Sequence, residues 1–514
     1  MQAANRVVIN TAIQYTRLVV SALISLVSVR LLLGALGKND YGLYDVIAGV
    51  IGLISFISSS LSMTSTRFLS ISLGKKNDEE TRKAFNSCFW MHVLMAAGLV
   101  IILELLSLYI FDGYLKIEPD RVQTAKLIYQ CMLVSLFFSI SVTPFISLLV
   151  SHEKFVYVSL VFIVDALFKL GIAIVVTKYS QDRLLLYGVL MMLIAILNVF
   201  CFVACCWIKY RRELRVKIVA FKELTGVSGF AGWTMLDALG ATLSRQGYAV
   251  MLNRFFDTTV NAVFALARQV EMPVYVISAS IIDSMKPQIM KSYGSGDVPR
   301  TRRLSMTAGK MGFAMMSLLA IPMLFMMPQL LDYWLVDYPE ETILFSRLLL
   351  IACMANQLTM GLFYANQAIG NIKWFSIIVS TFRMMSLPVS WIFLRLGCLP
   401  YVAIVVYVVC ETLGSLSRVI ILSRICDEFK VMDFVKLILL KILPPFIVGM
   451  GICWYLSRFA CSVWGLLWVT AVTVMLYGLA MFFFGLSKVE QNAIKEFFHS
   501  FLLKIKSNRN LVEK

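Results

Sequence analysis

The sequence contains few charged residues and few histidines, and both shortages exclude classes of protein. Asp, Glu, Lys and Arg make up only 15% of its 514 residues, while apolar residues make up 59%, which is not the balance of an ordinary soluble domain. The three histidines, His92, His152 and His499, are widely separated, so a metal-dependent enzyme has no ligand cluster to build on. We therefore expect no metal, no cofactor and no catalytic residues.

The sequence also lacks the paired cysteine spacing of a metal or disulfide site and the motif of a phosphate-binding loop. Most of the eleven cysteines lie in or beside apolar segments, without the paired spacing of a metal or disulfide framework. The pairs Gly37-Lys38, Gly74-Lys75 and Gly309-Lys310 lack the earlier glycine and the following Ser or Thr of a phosphate-binding loop. The sequence therefore predicts a protein that is not powered by ATP.

Long apolar segments dominate what is present. Those long enough to cross a hydrocarbon core begin near Asn10, Tyr44, Ser87, Ala125, Phe155, Leu184, Val227, Val260, Leu304, Ile343, Trp374, Tyr401, Leu437 and Val463. We predict an all-α polytopic membrane protein with about fourteen transmembrane helices, the first of which runs from Asn10 to Leu36.

An internal repeat is visible between residues about 220 apart. The junction formed by Ser72, Gly74, Asn77, Arg82 and Lys83 is matched by Ser292, Gly294, Asp297, Arg302 and Arg303. Lys154-Phe155 is likewise matched by Lys373-Trp374, again at the start of an apolar span. The repeat predicts two pseudo-twofold related lobes of six helices, followed by two further helices, a build that is usual in secondary transporters.

The repeat and the charge distribution together predict the domain organisation. We expect an N-lobe at 1–208, a basic cytoplasmic linker at 209–226, a C-lobe at 227–427, two helices at 428–486 and a cytoplasmic amphipathic tail at 487–514.

The net charge of +17 would suggest nucleic acid in a soluble protein, but its location predicts membrane topology instead. Lys and Arg are concentrated in the loops of one side, including the linker, where they would face anionic lipid. The other side has short connections, one of which carries Asp332, Asp337, Glu340 and Glu341. By the positive-inside rule we place both termini in the cytoplasm and expect no nucleic-acid partner.

Several charged residues lie inside the predicted spans, where each costs roughly 2.5 to 3.5 kcal/mol at the membrane centre. Some have a structural explanation. Asp165 and Lys169 are one helical turn apart and are expected to neutralise each other, and Glu411 and Arg418, seven residues apart, are expected to do the same. Three others lie near cytoplasmic helix ends and can snorkel: Arg67, Asp283 and Lys286.

The remaining charges form the candidate site. The predicted substrate-binding residues are Arg17, Arg245, Arg268 and Tyr275, and the predicted ion-coupling residues are Asp237 and Glu271. Arg268, Glu271 and Tyr275 share one helix face, and Asp237 lies two turns from Arg245. Guanidinium groups lining a wet cavity suit an anion, and diphosphate in particular, because their fork matches phosphate oxygens. The alternative is that these charges are interior salt bridges that hold the bundle together.

Four loop segments carry a family resemblance. They are Leu36-Gly37-Lys38-Asn39-Asp40-Tyr41-Gly42-Leu43-Tyr44, Ser72-Leu73-Gly74-Lys75-Lys76-Asn77-Asp78-Glu79-Glu80, His152-Glu153-Lys154 and Gly370-Asn371-Ile372-Lys373. Together with the repeat and the fourteen spans, they make the chain resemble the Wzx-type polysaccharide flippases. That superfamily also contains the multidrug and toxic-compound extruders and the lipid II flippases.

The resemblance implies two six-helix lobes around a central cationic cavity. It implies transport of undecaprenyl-diphosphate-linked glycan from the cytoplasmic to the outer leaflet of the bacterial cytoplasmic membrane by alternating access. From Asp237 and Glu271 we further expect coupling to H⁺ or Na⁺, and we name a polysaccharide polymerase as a candidate partner. Three alternatives stay open: a drug or cation extruder of the same fold, a lipid II flippase, and a membrane glycan polymerase or ligase. Several arginines argue against the extruder, and short outer connections argue against the polymerase.

Overall fold

The computed structural model describes residues 3–52, 54–109, 111, 119–214, 221–256, 258–335, 338–460, 462–488, 490–492 and 495. Within these ranges the chain is helical with short turns and contains no strand. The chain is thus an all-α polytopic membrane protein, as predicted. Most of the predicted tail at 487–514, and residues 215–220 of the predicted linker, lie outside the described residues.

The described residues of the first half of the chain form eight helices. They are α1 (Ala3–Gly52), α2 (Ser55–Gly74), α3 (Asp78–Tyr109), α4 (Val122–Ser141), α5 (Thr143–Ser151), α6 (Phe155–Lys178), α7 (Arg183–Tyr210) and α8 (Phe221–Phe255). The helix α1 is interrupted at Gly37, whose φ of 75° is a conformation that glycine adopts without steric cost. The first membrane-spanning segment accordingly runs from Ile9 to Gly37, close to the predicted helix.

The described residues of the second half form eight further helices. They are α9 (Thr258–Gly294), α10 (Val298–Trp334), α11 (Glu341–Ile369), α12 (Lys373–Arg395), α13 (Pro400–Ile425), α14 (Val431–Phe434), α15 (Leu440–Leu456) and α16 (Val463–Ala480). A π-helical turn at Val435–Leu439 joins α14 to α15 into one span, Val431–Phe459.

Twelve helices in the described ranges are long and apolar enough to cross a membrane, so the predicted count of fourteen is not confirmed. The two predicted spans that are not among the twelve begin near Tyr44 and Val227. Polar residues explain the difference. The α2 sequence is rich in Ser and Thr, and α8 carries Asp237, Arg245 and Arg254. The helices α2 and α8 are therefore less apolar than the twelve spans because of the polar residues that they carry.

Contacts between Cα atoms divide the chain into two compact units. Unit 1 contains the described residues of Met1–Thr11, Gly240–Ile289 and Asp297–Lys514, and unit 2 contains Ala12–Leu239 and Met290–Gly296. The last turn of α9 thus belongs to unit 2, although the rest of α9 from Thr258 belongs to unit 1. The lobe boundaries drawn from the repeat stay a prediction.

The α2–α3 and α9–α10 turns confirm that the repeated junctions are structural equivalents. Lys75 N–H donates to the Ile71 carbonyl (3.1 Å), and Ser295 N–H donates to the Lys291 carbonyl (2.9 Å). The next residue has positive φ in each turn, 55° at Lys76 and 79° at Gly296. A side-chain oxygen then caps the following helix: Asn77 Oδ1 accepts from Glu79 N–H, and Asp297 Oδ1 accepts from Arg300 N–H.

Within unit 1, glycine allows α10 and α11 to pack at backbone distance. A Cβ atom placed on Gly361 would lie 2.0 Å from the Ser305 carbonyl oxygen, and one on Gly309 would lie 2.7 Å from the Leu358 carbonyl oxygen. Small residues allow this approach in membranes, where association depends on van der Waals packing.

An ion pair fastens the segment after α16 to α10. Lys310 Nζ lies 2.5 Å from Glu490 Oε2, and the same carboxylate accepts from Ser487 N–H (2.7 Å) and, through Oε1, from Thr307 Oγ1 (3.0 Å). Burial pushes the pKa of the Glu490 carboxyl upward, but Lys310 and Ser487 outweigh it, so this pKa lies below its ordinary value.

We expect Gly361→Ala to destabilise the protein by about 1 to 3 kcal/mol, because the new methyl group would force α10 and α11 apart. The midpoint of thermal unfolding in detergent measures the loss. The control is Gly478→Ala on α16, where no atom lies within 4 Å of the new Cβ. That variant should be neutral or slightly more stable, since alanine favours a helix. Equal midpoints for the two variants would refute close α10–α11 packing.

Glu490→Gln should destabilise the protein in a pH-dependent way. Because the folded-state pKa of Glu490 is depressed, its stabilisation is present above the ordinary carboxyl pKa and is lost as the pH falls through the folded-state value. The difference in unfolding midpoint between wild type and variant should therefore be largest near neutral pH and vanish in acid. Glu340→Gln, an exposed carboxyl, is the control that should show little difference at any pH. A midpoint difference for Glu490→Gln that is independent of pH contradicts the assignment.

Candidate functional site

The six predicted site residues are divided between the two units. Arg17 on α1 and Asp237 on α8 belong to unit 2, and Arg245, Arg268, Glu271 and Tyr275 belong to unit 1. The Arg17 guanidinium lies 5.1 Å from the centre of the Phe162 ring on α6, a cation–π distance. Asp237 is buried, with 9% of its surface exposed. The four residues of unit 1 are the ones that the structure brings together.

Arg268 and Glu271 form an ion pair within one turn of α9. Their closest atoms, Arg268 Nη1 and Glu271 Oε2, are 2.5 Å apart, and both side chains are largely buried. Pro273 lies two residues further along α9. Proline has no N–H to donate to the Gln269 carbonyl, so this turn lacks one helical hydrogen bond. Sequence spacing predicted this pair correctly.

Arg383 on α12 and Glu411 on α13 form a second, two-point ion pair. Arg383 Nε donates to Glu411 Oε2 (3.2 Å), and Nη2 donates to Oε1 (3.1 Å). Glu411 is therefore hydrogen-bonded to Arg383, while the expected partner Arg418 interacts with it electrostatically. Arg418 is almost fully buried and donates instead to Asn356 Oδ1 (2.7 Å) and Thr359 Oγ1 (3.2 Å) on α11. The hydrogen-bonded partner of Glu411 thus lies on the neighbouring helix α12, not two turns along α13.

Arg245 is the exposed member of the group. Its Nε donates to the Ala241 carbonyl of its own helix (3.2 Å), and it forms no ion pair with the described carboxylates of unit 1. It is nevertheless close enough to interact electrostatically with Glu271, Glu411 and Tyr275. Arg245 therefore borders both ion pairs while its guanidinium stays available.

A third group extends the charges along α9. Tyr364 Oη donates to Asp283 Oδ1 (2.9 Å), and Lys286 Nζ lies 5.5 Å from the centre of the Tyr364 ring. Asp283 interacts electrostatically with Tyr275, which connects this group to the two ion pairs. Snorkelling alone, the expectation for Asp283 and Lys286, therefore does not describe them.

We call these residues the charged network of unit 1. It consists of Arg245, Arg268, Glu271, Asp283, Lys286, Arg383, Glu411 and Arg418. Five cations face three carboxylates, which leaves a formal surplus of positive charge. From Arg268 to Lys286 the network covers eighteen residues of α9, about 27 Å at the rise of an α-helix.

Arg383, Glu411 and Arg418 also lie inside predicted spans, but their sequence pattern predicts no role in the site. Their position on α12 and α13 gives no sign of which helix each side chain faces. The signal that could have selected them is that each lies well inside a predicted span, as Arg245 does. The expected local pair Asp165–Lys169, by contrast, is confirmed at 2.8 Å in unit 2.

Solved structures of similar fold belong to one transporter superfamily. A multidrug resistance MATE family transporter of the MOP superfamily, in an outward-facing conformation, is 14% identical with a TM-score of 0.70 over 82% of this chain and 96% of its own. A MOP superfamily transporter from Pyrococcus furiosus is 13% identical (TM-score 0.68; 84% and 96%), and a Vibrio cholerae MATE transporter is 15% identical (0.68; 83% and 98%). At such identities the likeness shows a shared fold.

No curated protein matches the sequence. The family model for polysaccharide biosynthesis proteins matches residues 7–292, more than half of the chain. The matched region runs from α1 into the last turn of α9 and contains all six predicted site residues. The chain is therefore a member of the polysaccharide biosynthesis protein family, with the MATE-like fold of the MOP superfamily.

Proposed function

We propose that this protein flips undecaprenyl-diphosphate-linked oligosaccharide across the bacterial cytoplasmic membrane by alternating access. The observation that carries the proposal is the charged network of unit 1, in which every carboxylate has a cation beside it and Arg245 borders both ion pairs. Buried arginines are costly unless they meet a negative partner. A diphosphate would supply that partner during transport.

The network binds a diphosphate by exchanging partners. Arg245 makes the first contact because it is exposed and carries no ion pair within unit 1. The phosphate oxygens then compete with Glu271 for Arg268 and with Glu411 for Arg383, since the guanidinium fork fits either group in two-point geometry. The sugar moves with the diphosphate, and the polyprenyl chain stays in lipid.

Release follows from the same exchange in reverse. When the carboxylates recover their arginines, the diphosphate loses its contacts without leaving a buried charge unpaired. Glu271 is the residue we propose for coupling, because its charge decides whether Arg268 has a protein partner, and H⁺ or Na⁺ binding would neutralise it. Arg17 and Asp237 of unit 2 stay predictions for cargo binding and ion coupling.

The charge balance argues against a cation extruder of the same fold. A cationic drug would need a carboxylate without a cation near it, whereas Glu271 and Glu411 are ion-paired and Asp283 interacts electrostatically with Lys286. The similar Pyrococcus furiosus transporter is described as having a binding pocket of reverse polarity and a different function, so fold and cargo class vary separately. Lipid II, which carries the same diphosphate, stays the alternative cargo.

Arg245→Ala should lower the rate of flipping of a fluorescent undecaprenyl-diphosphate oligosaccharide in proteoliposomes by about ten- to a hundredfold, since a charged hydrogen bond contributes about 1.5 to 3 kcal/mol. Arg268→Ala should act in the same direction.

The matched control is Arg254→Ala, which removes an arginine from the last turn of the same helix, outside the network. It should flip cargo at the wild-type rate when reconstituted at equal density. If Arg245→Ala and Arg254→Ala were indistinguishable, the network would not be the cargo site. Efflux of organic cations without any flipping would assign the protein to the extruders.

Glu271→Gln should uncouple transport from its driving ion. A glutamine cannot be neutralised by H⁺ or Na⁺, so flipping should no longer respond to an imposed ion gradient, while exchange of cargo without a gradient should continue. Flipping measured with and without pH or sodium gradients tests this, with Glu104→Gln, an exposed carboxyl of α3, as the control. An unchanged gradient response in Glu271→Gln would remove this residue from coupling.

A further inference from the structure

Two glycines bring the equivalent ends of α2 and α9 into direct contact within unit 2. A Cβ atom on Gly74 would lie 2.2 Å from the Lys291 carbonyl oxygen, and one on Gly294 would lie 2.3 Å from the Ile71 carbonyl oxygen. Ile71 lies three residues before Gly74, and Lys291 lies three residues before Gly294. Each glycine therefore touches the residue that holds this position in the other repeat. The contact is reciprocal and made by backbone, so no side chain can be added at either position without separating the helices.

Glu153, in the turn between α5 and α6, has a backbone conformation that is unusual for its residue type. Its φ is 60°, and Lys154 N–H donates to the Leu149 carbonyl (2.9 Å), the bond that closes a helix end around a left-handed residue. Glycine normally occupies that position. In the second repeat the turn after α11 also contains a left-handed residue, Gly370, with φ 89°. The first repeat therefore uses a glutamate for the left-handed residue of this turn, whereas the second uses a glycine, which adopts that conformation without strain.

The Glu153 side chain accounts for that strain. Its Oε1 lies 2.9 Å from Lys291 Nζ, and only 8% of the Glu153 side chain is exposed. Lys291 is the residue whose carbonyl meets Gly74. The ion pair therefore fastens the end of α9 to the α5–α6 turn at the point where α9 also meets α2. Strained residues that persist in this way tend to mark functional elements.

A second set of contacts lies one to three turns further along α2. Ser60 Oγ lies 2.5 Å from Thr234 Oγ1 on α8 and donates to the Ala231 carbonyl (3.1 Å), and the Arg67 guanidinium lies 4.4 Å from the centre of the Phe230 ring. These contacts are hydroxyl and cation–π interactions, with no ion pair among them. The Glu153–Lys291 pair, by contrast, is an ion pair that joins the end of α9 to the α5–α6 turn.

We propose that Glu153 and Lys291 form a latch that holds the ends of α2 and α9 together and opens once in each transport cycle. The latch joins residues of the first repeat to residues of the second. Alternating access moves one repeat against the other, so this pair must separate when that end of the molecule opens. The assignment of opening to transport depends on the proposed function, whereas the latch itself does not.

Hydrogen exchange of the protein in lipid nanodiscs, read by mass spectrometry, tests the latch without cargo. Glu153→Gln should speed exchange in the peptides that contain residues 71–76 and 291–296 by roughly fivefold, as expected when about 1 kcal/mol is removed from a local opening. Lys75→Gln is the matched control, because it removes the exposed Lys75–Glu80 pair from the same turn. It should leave exchange at residues 291–296 unchanged.

Two further variants separate the latch from a general effect on the turn. Glu153→Lys combined with Lys291→Glu restores an ion pair with reversed charges and should return exchange to the wild-type rate. Glu153→Gly removes the latch but relieves the strain, so it should speed exchange at 291–296 without speeding it in the α5–α6 turn. The latch is refuted if Glu153→Gln matches the Lys75→Gln control, or if the charge reversal fails to restore protection.

A zero-length cross-link tests whether the latch must open. A carbodiimide should join Glu153 to Lys291 as an amide, because their charged atoms are 2.9 Å apart, and the joined peptides identify the product. Cross-linked wild type should stop flipping cargo, while Glu153→Gln treated in the same way should continue. Flipping that survives the cross-link overturns the opening step. If Arg245→Ala loses flipping but keeps the wild-type hydrogen exchange, the cargo site is affected and the latch is not. The cargo-site proposal and the latch proposal can therefore be refuted independently.

Discussion

The cost of placing charge in a membrane governs this structure. An arginine at the bilayer centre is tolerated only if a partner, water or cargo meets it, and the described arginines of α9, α12 and α13 have such partners on their own or neighbouring helices. Because Arg383 and Arg418 find their partners on neighbouring helices, α11, α12 and α13 must keep a fixed register. The polar network therefore specifies the packing of unit 1 as well as its chemistry.

Paired charges of this kind also explain how a polar site can be stable without cargo. A guanidinium held in two-point geometry by a carboxylate is already in the arrangement that a phosphate would need. In the proposed mechanism, cargo binding replaces one anion by another, and the cost of desolvating the guanidinium group is already met in the folded state. The glycine contacts of α10 with α11 supply the rigidity that keeps the network in place, because backbone packing leaves little room for adjustment.

The sequence predicted local features well and features between helices poorly. The repeated turns at Gly74 and Gly294, the Arg268–Glu271 pair and the Asp165–Lys169 pair all follow from spacing along one segment, and the structure contains them. The Arg383–Glu411 pair joins two helices, and no periodicity within either helix reveals it. The same limit applies to Glu153, whose role depends on Lys291 more than a hundred residues away. The helices α2 and α8 are not among the twelve apolar spans because both carry several polar residues, although most of the charged network lies on α9, α12 and α13.

The reciprocal contact of Gly74 and Gly294 has a consequence for the origin of the chain. Each repeat presents the same surface, a glycine and a carbonyl three residues before it, and receives the same surface from the other. This is the geometry of an isologous interface, in which one patch on a protein is complementary to its own copy. A half-length ancestor could have made this contact as a homodimer before gene duplication joined the copies.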